Sequence, residues 1–207
     1  MALYKPKTSN NTGGKYYGVC ELAILGFKDR SGEFDWADIW IDIEVKQKGS
    51  DYTKTLGIKG SLEKDSNGDV TGGTVLKRMY HAFDQLGVKA GVNIKGEFET
   101  AEGEKIPDIA MYLTSECTET GFPDDMETQY DYIAYVYKEK PKQAGGKVYT
   151  RVHPRLYKNT PENTIRLTEE MAWTKNKGYI KEATAEDISN VPTDGETELQ
   201  GAGIGSL

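Results

Sequence analysis

The chain has 207 residues, 37% hydrophobic and 29% charged, with a formal net charge of −7. That balance fits one globular domain with an appendage and excludes collagen-like and disulfide-scaffold chains. No run of about 18 apolar residues occurs and Met1-Ala2-Leu3-Tyr4-Lys5-Pro6-Lys7 lacks a signal peptide's apolar core, so the expectation is no membrane association, no secretion and a cytoplasmic location.

In chain order, residues 1–14 are polar and rich in breakers and read as a flexible arm. Tyr17 to Phe27 is apolar and too short between glycines for a long helix, so a strand is expected. Asp38 to Lys46 alternates: Ile39, Ile41, Ile43 and Val45 share one face, and Asp38, Trp40, Asp42, Glu44 and Lys46 share the other, which makes Trp40 an aromatic on a wet face. Tyr52 to Gly60 reads as its antiparallel partner. Asp65-Ser66-Asn67-Gly68-Asp69 is turn chemistry. A helix of about 13 residues follows, with Thr74 as the expected cap, Val75, Leu76, Met79, Phe83 and Leu86 as its stripe and Gly87 at its end. Strands are expected at 92–98 and 109–113, an irregular acidic loop at 116–131, and a hairpin with arms 132–137 and 147–153 around a basic loop. Leu167, Met171 and Trp173 are expected to pack back on the sheet.

Strand-strand-strand-helix-strand-strand is the order of a five-stranded OB-like Greek-key β-barrel, so the predicted fold is mainly β with one α-helix between the third and fourth strands and an extended β-hairpin. The domain is placed at residues 15–181. Residues 182–207 carry six acids and no Lys or Arg, leaving residues 1–181 at −1, and their composition predicts an acidic disordered tail.

Catalytic and ligand signatures are scarce. GxxxxGK[ST] and HExxH do not occur, and the glycines of 201–205 follow no strand. The 65–69 turn opens like a calcium loop but has Val70 and Leu76 where glycine and a bidentate carboxylate are needed. Cys20 and Cys117 lack zinc-ligand spacing and read as reduced thiols. His81 lies off the helix's apolar stripe and reads as structural; His153, before Pro154, reads as a contact residue. Asp38, Asp42 and Glu44 share a strand face, the basis of a remote metal-nuclease alternative. No catalytic residue, metal or cofactor is expected, and the chain is read as a non-enzyme.

The strongest signal lies at 138–158, where seven cations face one acid, Glu139. Cations that follow phosphates and aromatic faces on which bases stack are what a single strand requires. Lys138, Lys140, Lys142, Lys147, Arg151 and Arg155 are expected on phosphates, and Tyr135, Tyr137, Tyr149 and Trp40 on bases. The alternative is that the tyrosines pack in the core and the lysines solubilise a loop.

Tyr135-Val136-Tyr137-Lys138-Glu139 followed by Gly145-Gly146-Lys147-Val148-Tyr149-Thr150-Arg151-Val152 resembles the terminal hairpin of phage-encoded OB-fold single-stranded DNA-binding proteins. The strand 38–46 answered by Tyr52 to Ile58, and the helix ending Phe83 to Val88, are similar as well. The resemblance implies non-catalytic coating of single-stranded DNA with little sequence preference in bacteriophage replication or recombination, and hence a host-cytoplasmic location. It also implies that the acidic tail recruits replication or recombination proteins and shields the groove, with self-association left open. The rival expectation is a protein-interaction or virion-structural β-domain that uses the hairpin as an arm.

Overall fold

Residues 17–50, 53–119, 129–143, 146–184 and 187 are described by the computed structural model of the chain. Three long strands come first: β1 (Gly18–Asp29), β2 (Ile39–Gln47) and β3 (Thr53–Gly60), each antiparallel to the next. Alternation in β2 works as expected, with Ile39, Ile41, Ile43 and Val45 at 0–1% exposure facing the core. Two short hairpins flank the first helix. β4 (Glu63–Lys64) pairs with β5 (Val70–Gly72) before α1 (Thr74–Leu86), and β6 (Ala90–Val92) pairs with β7 (Phe98–Thr100) after it.

α1 follows its apolar spacing, burying Val75, Met79, Ala82, Phe83 and Leu86, and Gly87 closes it in the left-handed conformation. Its first boundary residue is Gly73 rather than Thr74, and no side chain caps it. Gly73 has φ 146°, and a Cβ there would meet the Ser61 carbonyl oxygen at 3.2 Å, so the tight approach of the β3–β4 connection selects glycine over a capping side chain.

Three expectations are corrected. The strand expected at 109–113 is the start of α2 (Ile109–Glu119), because the Asp108 carboxylate accepts from the Met111 amide and Ile109, Leu113 and Cys117 then fall on one buried helical face. The strand expected at 92–98 is instead the β6–β7 turn and its flanks: the Asn93 side chain accepts from the amides of Lys95 and Glu97, and Gly96 takes φ 85°. Residues 161–176 form α3 (Pro161–Asn176), started by the Thr160 hydroxyl accepting from the Asn163 amide with Pro161 in the first turn. The described fold thus has three helices rather than one.

β8 (Tyr132–Glu139) lies against β1, and its far edge takes β9 (Tyr149–Val152) and then β10 (Tyr157–Lys158). The result is a large antiparallel sheet ordered β3-β2-β1-β8, with β9 and β10 sharing the last position. The sheet curls until β3 and β9 approach within 8 Å between Cα atoms, yet no ladder joins them among the described residues. The closed barrel expected from the element order is therefore an open, curled sheet.

One face of the sheet carries Leu22, Ile24, Ile41, Ala134 and Val136 and is covered by α1 and α2. The other, at β8, carries Ile133 and Tyr135 and is covered by α3 through Leu167 and Met171. Met171 and Leu167 pack as expected, but Trp173 points outward at 57% exposure. No helix among the described residues is long and apolar enough to cross a membrane. The arm at 1–14 and nearly all of the tail beyond Thr184 lie outside the described residues.

Candidate nucleic-acid interface

Where the sheet fails to close, a cleft of about 1050 Å³ runs between β2–β3 and β8–β9. Trp40, Asp42 and the outward residues of β3 line one wall; Tyr137, Glu139 and Arg151 line the other, with Arg78 of α1 and Tyr17 also contributing. Gly57 sits opposite Asp42 in the β2–β3 ladder, and a Cβ there would meet Asp42 Oδ1 at 3.2 Å, so its missing side chain keeps this wall low.

Cations in the cleft divide by their partners. Arg151 Nε pairs with Glu139 at 2.9 Å. Arg30 pairs with Glu33 at 2.6 Å and Asp42 at 3.6 Å. Lys54, Lys59 and Arg78 have no carboxylate in ion-pair contact among the described residues. Burial pushes the Lys54 ammonium below its ordinary value, and its hydrogen bond is donated to the Ser50 hydroxyl at 3.3 Å. Lys59 Nζ lies 4.4 Å from the centre of the Trp40 ring, a cation–π distance. The cleft therefore holds three positive charges not paired with acids of the described residues.

The residues singled out in the sequence separate into four places. Trp40, Tyr137 and Arg151 meet in the cleft. Tyr149, Lys140, Lys142 and Lys147 line a smaller hollow of about 430 Å³ at the loop end of the β8–β9 hairpin. Lys138 sits over the Tyr17 ring at 5.4 Å, at the mouth of a groove of about 690 Å³ between β1, β8 and α3. Arg155 lies beside Glu170 of α3 at 4.0 Å. Tyr135 is on the strand face that alternation assigns to it, but α3 covers that face: the ring is 9% exposed and its hydroxyl donates to Glu182 at 2.7 Å.

Trp40 is likewise 9% exposed, because the turn 31–37 folds Phe34 and Trp36 against it and its Nε1 donates to Asp42 Oδ1 at 2.8 Å. The sequence reading missed Arg30, Lys54, Lys59, Arg78 and Tyr17. Lys54 and Lys59 lie in a segment already read as a strand, five residues apart and so on opposite faces of it, whereas Arg78 reaches the cleft from a helix, and nothing local in the sequence points to it.

The acids on the β2 face are engaged as well. Asp38 accepts from Lys64 and from the Leu62 amide, which together hold its carboxyl below the usual range, and Glu44 pairs with Lys28. Among the described residues no group of three His, Cys, Asp or Glu is placed to hold a metal ion. His81 is held within the fold: its Nε2 lies 3.0 Å from the Leu156 carbonyl and its ring meets Tyr157 edge-on at 4.6 Å. Comparison with protein-family models, with curated proteins and with solved structures finds no match.

Proposed function

We propose that the chain binds single-stranded DNA without catalysis and with little sequence preference. The observation that carries this reading is the cleft, which is lined by Trp40, Tyr137 and three cations that have no carboxylate partner among the described residues, one of them, Lys59, over the Trp40 ring. Phosphates follow Lys54, Lys59 and Arg78, and bases lie on the aromatic side of the cleft, the division of labour that single-strand binding requires. This shifts the phosphate contacts from the hairpin lysines toward β3 and α1. The strand order β3-β2-β1-β8-β9, with α1 between β3 and β8 in the chain and β9 curling toward β3, supports an OB-like Greek-key ancestry for the open sheet. The resemblance of the hairpin supports a place in phage replication or recombination, with the acidic C-terminal segment as the part that meets other proteins of those processes.

Fluorescence titration with an unstructured oligonucleotide tests the reading. Three phosphate contacts at about −0.7 each give a log–log salt slope of about −2, and Lys59→Ala or Arg78→Ala lowers its magnitude by about 0.7. Single strands should win over duplex of equal length by about tenfold or more, since pairing hides the base faces. A slope near zero overturns the electrostatic cleft. A flat titration from a chain that self-associates favours the protein-interaction reading instead.

A further inference from the structure

At the edge of the cleft, Phe34 and Trp36 of the turn 31–37 gather against Trp40 of β2 as a cluster of three aromatic rings. Phe34 and Trp40 lie nearly parallel with centroids 4.8 Å apart, Trp36 leans on Trp40 at 5.4 Å, and Phe34 and Trp36 are 6.2 Å apart. The Arg30 guanidinium sits 4.5 Å from the Trp40 ring centre and 5.7 Å from that of Phe34. Glu33 and Asp42 hold it there, so the stack exists before any ligand arrives. Phe34 is 40% and Trp36 53% exposed, although rings of this size ordinarily bury most of their surface.

We propose that Phe34 and Trp36 form a base-stacking site at the mouth of the cleft, which takes an unpaired nucleobase whose phosphate is held by Lys59. The proposal rests on the single-strand reading above. Trp40 is the foundation of this site rather than its contact surface: it lines the cleft, but its exposed area is small and its indole N–H is already donated to Asp42. Lys59 connects the two regions, because it stands over Trp40 while facing the cleft. Glu33 and Asp35 flank the rings, so a phosphate placed directly on them meets like charge while an uncharged base does not. Since the rings are already ordered, a base adds to the stack without the side-chain ordering cost that weakens most contacts.

The protein has three tryptophans, at positions 36, 40 and 173. Trp173 is on α3 beside Tyr179, remote in the chain from this turn. Full-length protein is titrated with a single-stranded homopolymer oligonucleotide, with affinity read by anisotropy of a labelled strand and quenching read from the tryptophans. Trp36→Ala should weaken binding by about five- to hundredfold while leaving the salt slope unchanged, because a stack neutralises no phosphate. Trp36→Phe should retain most of the affinity and lose most of the quench. Lys59→Ala serves as the control that lowers the slope.

If wild type binds with the expected slope but Trp36→Ala matches it in affinity, or if quenching survives Trp36→Phe, the stacking site is overturned and the cleft reading stands. If wild type does not bind single strands, the cleft reading fails with it. The exposure of Phe34 and Trp36 makes a folding defect in these variants a small risk, and thermal melts that coincide with wild type exclude it.

Discussion

His153 closes the hairpin's return arm, its amide donating to the Tyr135 carbonyl at 2.8 Å while its buried ring Nδ1 has no hydrogen-bond partner among the described residues. Burial, and then repulsion from Arg155 and Arg78, pushes its pKa from an ordinary 6.5 down to about 4. His81 moves the same way for the same leading reason, with Arg155 again opposing its charge. Between about pH 4 and 6.5 the unfolded chain therefore binds more protons than the folded one. Stability is highest above that window and is lost as pH falls through it. At about 1.4 kcal/mol per unit, and after a discount for the ring's partial exposure, His153 should cost about 2 kcal/mol by pH 4. Urea unfolding at pH 7.5, 6, 5 and 4.5 measures this, and His153→Gln should flatten most of the decline. An unchanged slope in that variant would mean the ring is hydrated rather than buried.

Among the elements, α3 decides how much of the sheet is free. It lies over Ile133, Tyr135 and Tyr157 with Leu167 and Met171, and the Tyr157 hydroxyl donates to Glu170 at 2.8 Å. Leu167→Ala removes a side chain with 0% exposure and should cost about 2–5 kcal/mol. Oligonucleotide affinity, measured well below the melting transition, should stay within about twofold because α3 does not line the cleft. Equal melting temperatures would show that α3 does not hold the sheet. α1 was legible in the sequence because its apolar spacing and Gly87 are local signals. α2 was not, because Ile109 to Leu113 reads as β-prone in isolation, and the repeat that marks a helix is completed only by Cys117, inside what reads as an acidic loop. Alternation gave Tyr135 its face, but the helix that covers it starts 26 residues later. Local charge density likewise pointed to Arg151, whereas the β8–β9 register, with Tyr137 opposite Arg151 and Tyr149 opposite Glu139, puts the Glu139 carboxylate on that arginine.

At the scale of the molecule, charge is separated along the chain, and the acidic end leaves the fold next to basic groups. The segment after α3 adds to β8, with Lys140 donating to the Lys181 carbonyl and Ala183 donating to that of Lys138, and Asp187 reaches Lys140 at 3.7 Å. A tethered polyanion at this point competes with phosphates, so removing residues 185–207 should tighten single-strand binding at low salt. The gain should fade near physiological salt, where the Debye length is about 8 Å. Paired titrations of both chains at two salt concentrations measure it, and equal low-salt affinities would remove the competition. The unclosed seam has a separate outcome. β3 pairs with β2 along one edge only, so on its other edge the backbone amides have no ladder partner among the described residues and should exchange with deuterium faster than those of β2, which is paired with β1 on one side and β3 on the other. Such an edge is also a template on which a second copy could extend the sheet. Lys54 and Lys59 stand on that strand without acidic partners among the described residues, and two copies meeting along it would set lysine against lysine. Like-charge repulsion thus disfavours runaway sheet extension for as long as no polyanion lies between the copies.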